Sequence, residues 1–340
     1  MPCTWLKITS QYDLSDYAVE VRLDRIGILD YVRDDGSDIY FLDENNQPLY
    51  YAVWLIRKDK RYGSVFVKLS LQANNPRRIQ LCYGGENPYA SYRNPDTVFD
   101  LYDDFNEFDQ SKWYVEWGEP RIENGHLVLP SNTYVLSVRK FGDVEVRVYY
   151  KFDDAVRYFI VGARFEDDDI WGEVYIEASN GWQMIYQWYY DRVSGIYDYC
   201  YTDATYEDIY QTGVYYEEVL RTVTVEDKVD STWIVQGYMD NRFSLNIRCL
   251  APNEGSIELF SYGNTVKVDK LFVRYAVDPE PTVELAEAPQ PPPEEPSPPP
   301  PPPEQPPPPE LKPQPYPKPW ILLLLPLLFF IFRKKEEKKQ

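Results

Sequence analysis

The sequence predicts an all-β chain: two antiparallel β-sandwiches in tandem, then a polyproline stalk and a short C-terminal transmembrane helix. Three observations predict it. Apolar and polar residues alternate with period two in short runs between turns, without a helical period, through residues 1–102 and 103–278. Most of the 30 prolines fall within residues 279–319. Residues 320–332 are apolar throughout, and a basic tail, 333–340, follows.

Composition narrows the function. The 340 residues carry 35 Lys+Arg against 55 Asp+Glu, a net charge of −20. That balance argues against a nucleic-acid partner, which would be held through its phosphates. The single histidine, His126, excludes His-rich metal sites and argues against a Ser-His-Asp or Cys-His catalyst. Tyrosine is abundant, with 31 copies beside 9 Trp and 15 Phe. Cys3, Cys82, Cys200 and Cys249 form no C-x-x-C pair. Cys82 reads as a small buried hydrophobe, and a Cys200–Cys249 bridge is left open.

In residues 1–102, Tyr17–Leu23 and Ser64–Leu69 alternate as half-buried strands do. Asp34-Asp35-Gly36-Ser37-Asp38 and Asn74-Asn75-Pro76 read as turns. The first of these could hold Ca²⁺, but it lacks EF-hand spacing, and a turn hydrogen-bonded by its own aspartates is the plainer reading. In residues 103–278, Glu123-Asn124-Gly125-His126 reads as the turn of a hairpin. Val144–Tyr150, Tyr158–Phe165, Gln183–Tyr189 and Val266–Arg274 alternate.

The segment 279–319 cannot form helix or sheet through its proline runs, since proline fixes φ and removes a donor. It is expected to be an extended spacer. The thirteen-residue run Trp320–Phe332, interrupted by Pro326, spans only ~20 Å as a helix against a ~30 Å hydrocarbon core. The aromatic Trp320 at one end and Arg333, Lys334 and Lys335 at the other extend it, so a membrane anchor in the lipid bilayer is expected. The positive-inside rule then keeps the tail cytoplasmic and places the sandwiches outside, on a cell or virion surface. The opening residues lack the apolar run of a signal peptide, which would suit a cytoplasm-facing tail-anchored protein instead.

Trp5–Thr9, Leu14–Tyr17 and above all Asp34–Asp43, then Leu49–Trp54 and Leu81–Pro88, resemble the domain-of-unknown-function 2341 family over about the first hundred residues. The resemblance implies a prokaryotic, notably archaeal, surface protein and carries no chemistry with it. Asp103-Asp104-Phe105, Glu123–Leu127, Gly162–Phe165, Trp171–Ile176, Asn180–Gln183 and Val268–Arg274 resemble the concanavalin-A-like jelly roll of laminin-G-like and legume-lectin-like domains. That resemblance implies glycan binding, or in some members hydrolysis.

Sugar binding needs aromatic platforms beside polar groups. Tyr186, Trp188 and Tyr190 alternate onto one face with Tyr199 nearby, and they are the expected ligand-binding residues for a glycan or a surface protein. The bland alternative puts these aromatics in the sandwich core. Asp167, Asp168 and Asp169, with Asp153 and Asp154, are the candidate metal ligands, for which Ca²⁺ would be the fitting ion; no other cofactor is expected. A hydrolase needs two carboxylates ~5–9.5 Å apart. Glu173 and Glu177 sit ~13 Å apart along an extended strand, so a binding protein is expected rather than an enzyme.

Overall fold

Period-two alternation puts one face of each strand inside, and the computed structural model is all-β accordingly. It describes residues 2–287 apart from 168–169, 180–181, 203–209, 227 and 237–242. The segments expected to form a stalk beyond 287, an anchor with Trp320, Pro326 and Phe332, and a tail with Arg333, Lys334 and Lys335 lie outside the described residues. Among the described residues no helix is long and apolar enough to cross a membrane. The one α-helix among the described residues, Pro95–Val98, is a single turn capped by the Asn94 side chain, which accepts from the Thr97 amide at 3.1 Å.

Four sheets are stacked in the order five, three, eight and seven strands. The first holds, side by side, Thr282–Ala286, Cys3–Thr9, Arg77–Cys82, Tyr40–Leu42 and Pro48–Leu49. The second holds Leu14–Arg22, Tyr62–Leu71 and Tyr51–Arg57. Leu6, Ile8, Val19, Val21, Val65, Val67, Ile79 and Leu81, the inward alternates of these strands, close the first sandwich. The eight-stranded sheet is centred on Val144–Phe152, Tyr215–Val225 and Val266–Tyr275. It packs on the seven-stranded sheet through Val146, Val148, Phe159, Val161, Val174, Ile185, Leu220 and Leu259. The expected hairpin forms: Arg121–Ile122 pairs with Leu127–Leu129, and Asn124 and Gly125 take φ of 54° and 71° at its turn.

The two sandwiches are joined face to face. The outer face of the three-stranded sheet offers Ala18, Ala52, Trp54 and Phe66, and the eight-stranded sheet answers with Phe272. Phe272 stacks on Phe99 with centroids 4.0 Å apart. Between them Arg147 bonds Glu20 at 2.8 and 2.9 Å and Glu145 at 2.7 Å, and Arg274 bonds Glu145 at 2.8 Å. Trp54 Nε1 donates to Glu217 at 2.6 Å. Buried charges persist where they are paired this closely.

Two sequence expectations are corrected. Residues 279–287 do not begin the stalk as extended spacer. Thr282–Ala286 pairs antiparallel with Cys3–Thr9, and Glu280 is held by Arg274 at 3.0 Å and Tyr17 at 2.8 Å. Proline dominance starts later than the composition suggests, so a donor-bearing strand fits there. Cys82 is buried, but as half of a disulfide with Cys3, its direct cross-strand partner. Cys200 pairs with Cys249, joining the edge strands of the seven- and eight-stranded sheets, and no described cysteine is free.

Glu218 sits inside the second core. Its Oε1 accepts from Tyr210 at 2.7 Å and Tyr150 at 3.1 Å, while Oε2 has no partner. Burial pushes its carboxyl up from 4.5 to about 8, against those two hydrogen bonds. A raised folded pKa gives stability that is complete below the ordinary carboxylate range and is lost as pH rises to about 8. Within that window the loss approaches ~1.4 kcal/mol per pH unit. Glu218→Gln is expected to flatten this slope in thermal melts taken across the window. An unchanged slope would show that Glu218 does not titrate there.

Candidate functional site

The seven-stranded sheet turns one face inward and leaves the other open. Its strands run in the order Tyr197–Tyr201, Trp182–Asp191, Ile170–Ser179, Tyr158–Asp167, Gly255–Tyr262, Thr133–Phe141, Trp113–Trp117. Val174, Ile185, Val161, Leu259 and Val135 face the core. Their alternates therefore share the open face.

Register arranges those alternates in rows. Tyr201, Tyr186, Tyr175, Gly162 and Glu258 are successive cross-strand partners. Tyr199, Trp188 and Glu173 form the neighbouring row. A third row runs Trp117, Tyr134, Phe260 and Ile160. Tyr175 and Tyr186 stack at 4.8 Å, and Tyr186 and Tyr201 at 6.2 Å. On the other flank Tyr134 meets Trp117 edge-on at 5.2 Å. Tyr199 is 44% exposed and Trp117 52%, so both flanks reach solvent.

Between the aromatic flanks lies a carboxyl pair. Glu258 is only 4% exposed. It fills the space left by Gly162, where an added Cβ would stand 2.7 Å from Glu258 Oε2. Its polar neighbours are the Glu173 carboxylate and the Tyr134 hydroxyl, and Oε2 lacks a hydrogen-bond donor. Burial first, then Glu173, pushes the Glu258 carboxyl well above its ordinary range. Burial and the nearby Glu258 raise the Tyr134 phenol as well. Two acidic groups in contact disfavour being ionised together, which adds to the upward push on Glu258. Trp188 Nε1 donates to Glu173 Oε1 at 2.9 Å.

The four sequence-chosen aromatics are thus placed together. Tyr186, Trp188 and Tyr190 do not line the core, because Ile185 and Gln187 take the inward positions. Gln187 donates to the backbone carbonyls of Val229 and Cys249 across the sandwich. Tyr190 is partnered in register by Tyr197 and Tyr199 by Trp188. Glu258, Tyr134, Trp117 and Tyr175 escaped the sequence reading. Alternation in Gly255–Phe260 could have put Glu258 on the open face, but its meeting with Glu173 across an intervening strand needed the register.

The acidic turns behave as turns. Asp154 accepts from the Thr265 amide at 2.8 Å and Asp153 pairs with Lys267 at 3.0 Å. Asp38 is buried and clamps the Arg33 and Gly84 amides at 2.9 and 3.0 Å, and Asp35 accepts from the Ser37 amide at 3.0 Å. Among the described residues no cluster could hold a metal ion. The Asp167 side chain, Asp168 and Asp169 lie outside the described residues, as does the side chain of Glu177.

Residues 35–116 match the model of a family described as a domain of unknown function, DUF2341. No curated protein matches the chain. Among solved structures it is similar to the carbohydrate-binding module CBM66 from Bacillus subtilis, at 14% identity and a TM-score of 0.35 over 48% of this chain and 96% of that one. It is also similar to a Bacillus licheniformis β-glucanase, at 13% identity and a TM-score of 0.37 over 52% and 98%. A legume lectin-like domain from Entamoeba histolytica aligns at 11% identity and a TM-score of 0.37, over 49% and 91%. Binding modules and hydrolases both stand among these neighbours.

Proposed function

We propose that this chain is a membrane-held surface protein whose second sandwich binds glycan on the open face of its seven-stranded sheet. The observation that carries the reading is the row Tyr175, Tyr186 and Tyr201, stacked side by side beside the Trp188–Glu173 hydrogen bond. Flat rings receive the apolar faces of sugar rings, and a carboxylate among them accepts their hydroxyls. Pairing of the four cysteines supports an oxidising setting, hence export. The proline-rich and apolar segments of the sequence support a stalk and an anchor.

Binding is favoured over hydrolysis by the carboxyl pair. A retaining glycosidase holds its two carboxyls ~5–5.5 Å apart and an inverting one holds them farther. Glu173 and Glu258 interact directly, and Glu258 is too deeply buried to reach a glycosidic oxygen.

The full chain should bind members of a glycan array, and Trp188→Ala and Tyr186→Ala should each weaken that binding about ten-fold or more. No binding to any glycan would end this reading. Sugar release abolished by Glu173→Gln would replace it with the hydrolase. Placement is tested by protease treatment of intact cells carrying an N-terminally tagged chain, with loss of the tag expected and a protected tag counting against surface display.

A further inference from the structure

The open face combines an aromatic platform with a carboxyl pair at its centre, and the pair restricts what the platform can accept. Glu258 is nine-tenths buried, its Oε2 is without a donor, and it is directed over Gly162 toward Glu173. Glu173 is only partly buried and is oriented by Trp188 Nε1 at 2.9 Å. We infer that Glu173 is the specificity-determining residue of this face, selecting neutral, hydroxyl-rich glycans and rejecting those that bear carboxylates. This rests on the glycan reading above.

The chemistry follows from the donor and acceptor inventory. Glu258 and Glu173 bring two acidic groups together, and Trp188 Nε1 already donates to Glu173 Oε1 at 2.9 Å. What Glu173 offers a ligand there is acceptor capacity. A sugar hydroxyl donates to it. A uronate or sialate brings a second negative charge into a partly desolvated site, where like charges in contact are strongly disfavoured. Lys140 lies opposite Ser256, two residues before Glu258, and is paired with Glu166, while Arg164, two residues after Gly162, is held by Asp143, Thr222 and Thr224. Tyr134, Tyr114 beyond it, and Tyr175 and Tyr186 in the row through Gly162 are other titratable groups on this face.

The same arrangement makes recognition depend on pH. While Glu258 keeps its proton it holds Glu173 in place. Once it ionises, two carboxylates face each other across Gly162, and one must move. Affinity for a neutral glycan should therefore fall at alkaline pH in the wild type. Glu258→Gln keeps a donor toward Glu173 and cannot ionise, so its affinity should stay flat over the same range. A purely structural role for Glu258 would leave the two pH profiles parallel.

The test uses the full chain on an array of neutral, uronate-bearing and sialylated oligosaccharides. The tightest neutral member and its uronate counterpart are then titrated against wild type, Glu173→Gln and Glu258→Gln. Hits confined to neutral members are expected, with discrimination against the uronate reduced at least ten-fold in Glu173→Gln. Equal binding of neutral and acidic members overturns the inference and leaves the glycan reading standing. No binding to any member ends both. Should Glu173→Gln fail to fold, the wild-type and Glu258→Gln pH profiles decide, and parallel profiles overturn the inference.

Discussion

Arg147→Ala should cost the protein about 3–5 kcal/mol, the range for removing one partner of a buried ion pair. The Arg147 side chain is 5% exposed and lies between carboxylates from both sandwiches. It bonds Glu20 of the first through both terminal nitrogens and Glu145 of the second through Nε. Its guanidinium also lies 5.0 Å from the Phe66 ring centre and 5.6 Å from that of Phe272. Alanine would strand Glu20, whose other strong bond is to Ser64 at 2.7 Å. Glu145 would keep only Arg274. Chemical denaturation should show the loss, and pairing the change with Glu20→Gln should recover part of it, since the stranded charge is then gone. A loss below about 1 kcal/mol would mean that the interface is held by its aromatic contacts alone.

The same cluster sets the behaviour in acid. Burial would raise both carboxyls, but Arg147 outweighs it, holding Glu20 well below the usual range and Glu145 near about 2. A depressed folded pKa gives stability that is present above the ordinary carboxylate range and lost as pH falls toward the folded value. Wild type should therefore lose stability steadily in acid. Arg147→Ala should lose less over that range, having already forfeited the Glu20 share.

The second large effect is expected from the Cys3–Cys82 disulfide, which closes a loop across a sequence separation of 79. Loops of that length are worth roughly 4–5 kcal/mol in the chain-entropy account. Replacing both cysteines with serine should lower the melting temperature by about 10 °C. A strong reductant added to the wild type should do at least as much, because it also opens Cys200–Cys249. A melting temperature indifferent to both treatments would show that the strand register alone holds Cys3–Thr9 in place.

The all-β class and most strands were legible because each strand keeps one dry face, as in Tyr17–Leu23 and Val266–Arg274. What period-two patterning cannot say is what covers the other face. Val144-Glu145-Val146-Arg147 reads as a strand wet on one side, yet Glu145 and Arg147 are both 4% exposed. A second sandwich covers them, and their charges read as surface only because their partners, Glu20 for Arg147 and Arg274 for Glu145, lie 127 and 129 residues away in sequence. The site divides likewise. Tyr186, Trp188 and Tyr190 follow from alternation within one strand. Glu258 depends on a glycine two strands from Tyr186 and on register through five strands, which no local pattern records.

The last strand gives the molecule a direction. Ala286 pairs with Trp5 at the edge of the five-stranded sheet, so the described chain both enters and leaves on the outermost layer. The aromatic face belongs to the outermost layer at the opposite end of the stack, three sheet spacings away, or ~30 Å. The two ends of the described chain and the aromatic face thus lie on different outer layers of the stack, so a molecule seated on that face would leave both of those ends uncovered.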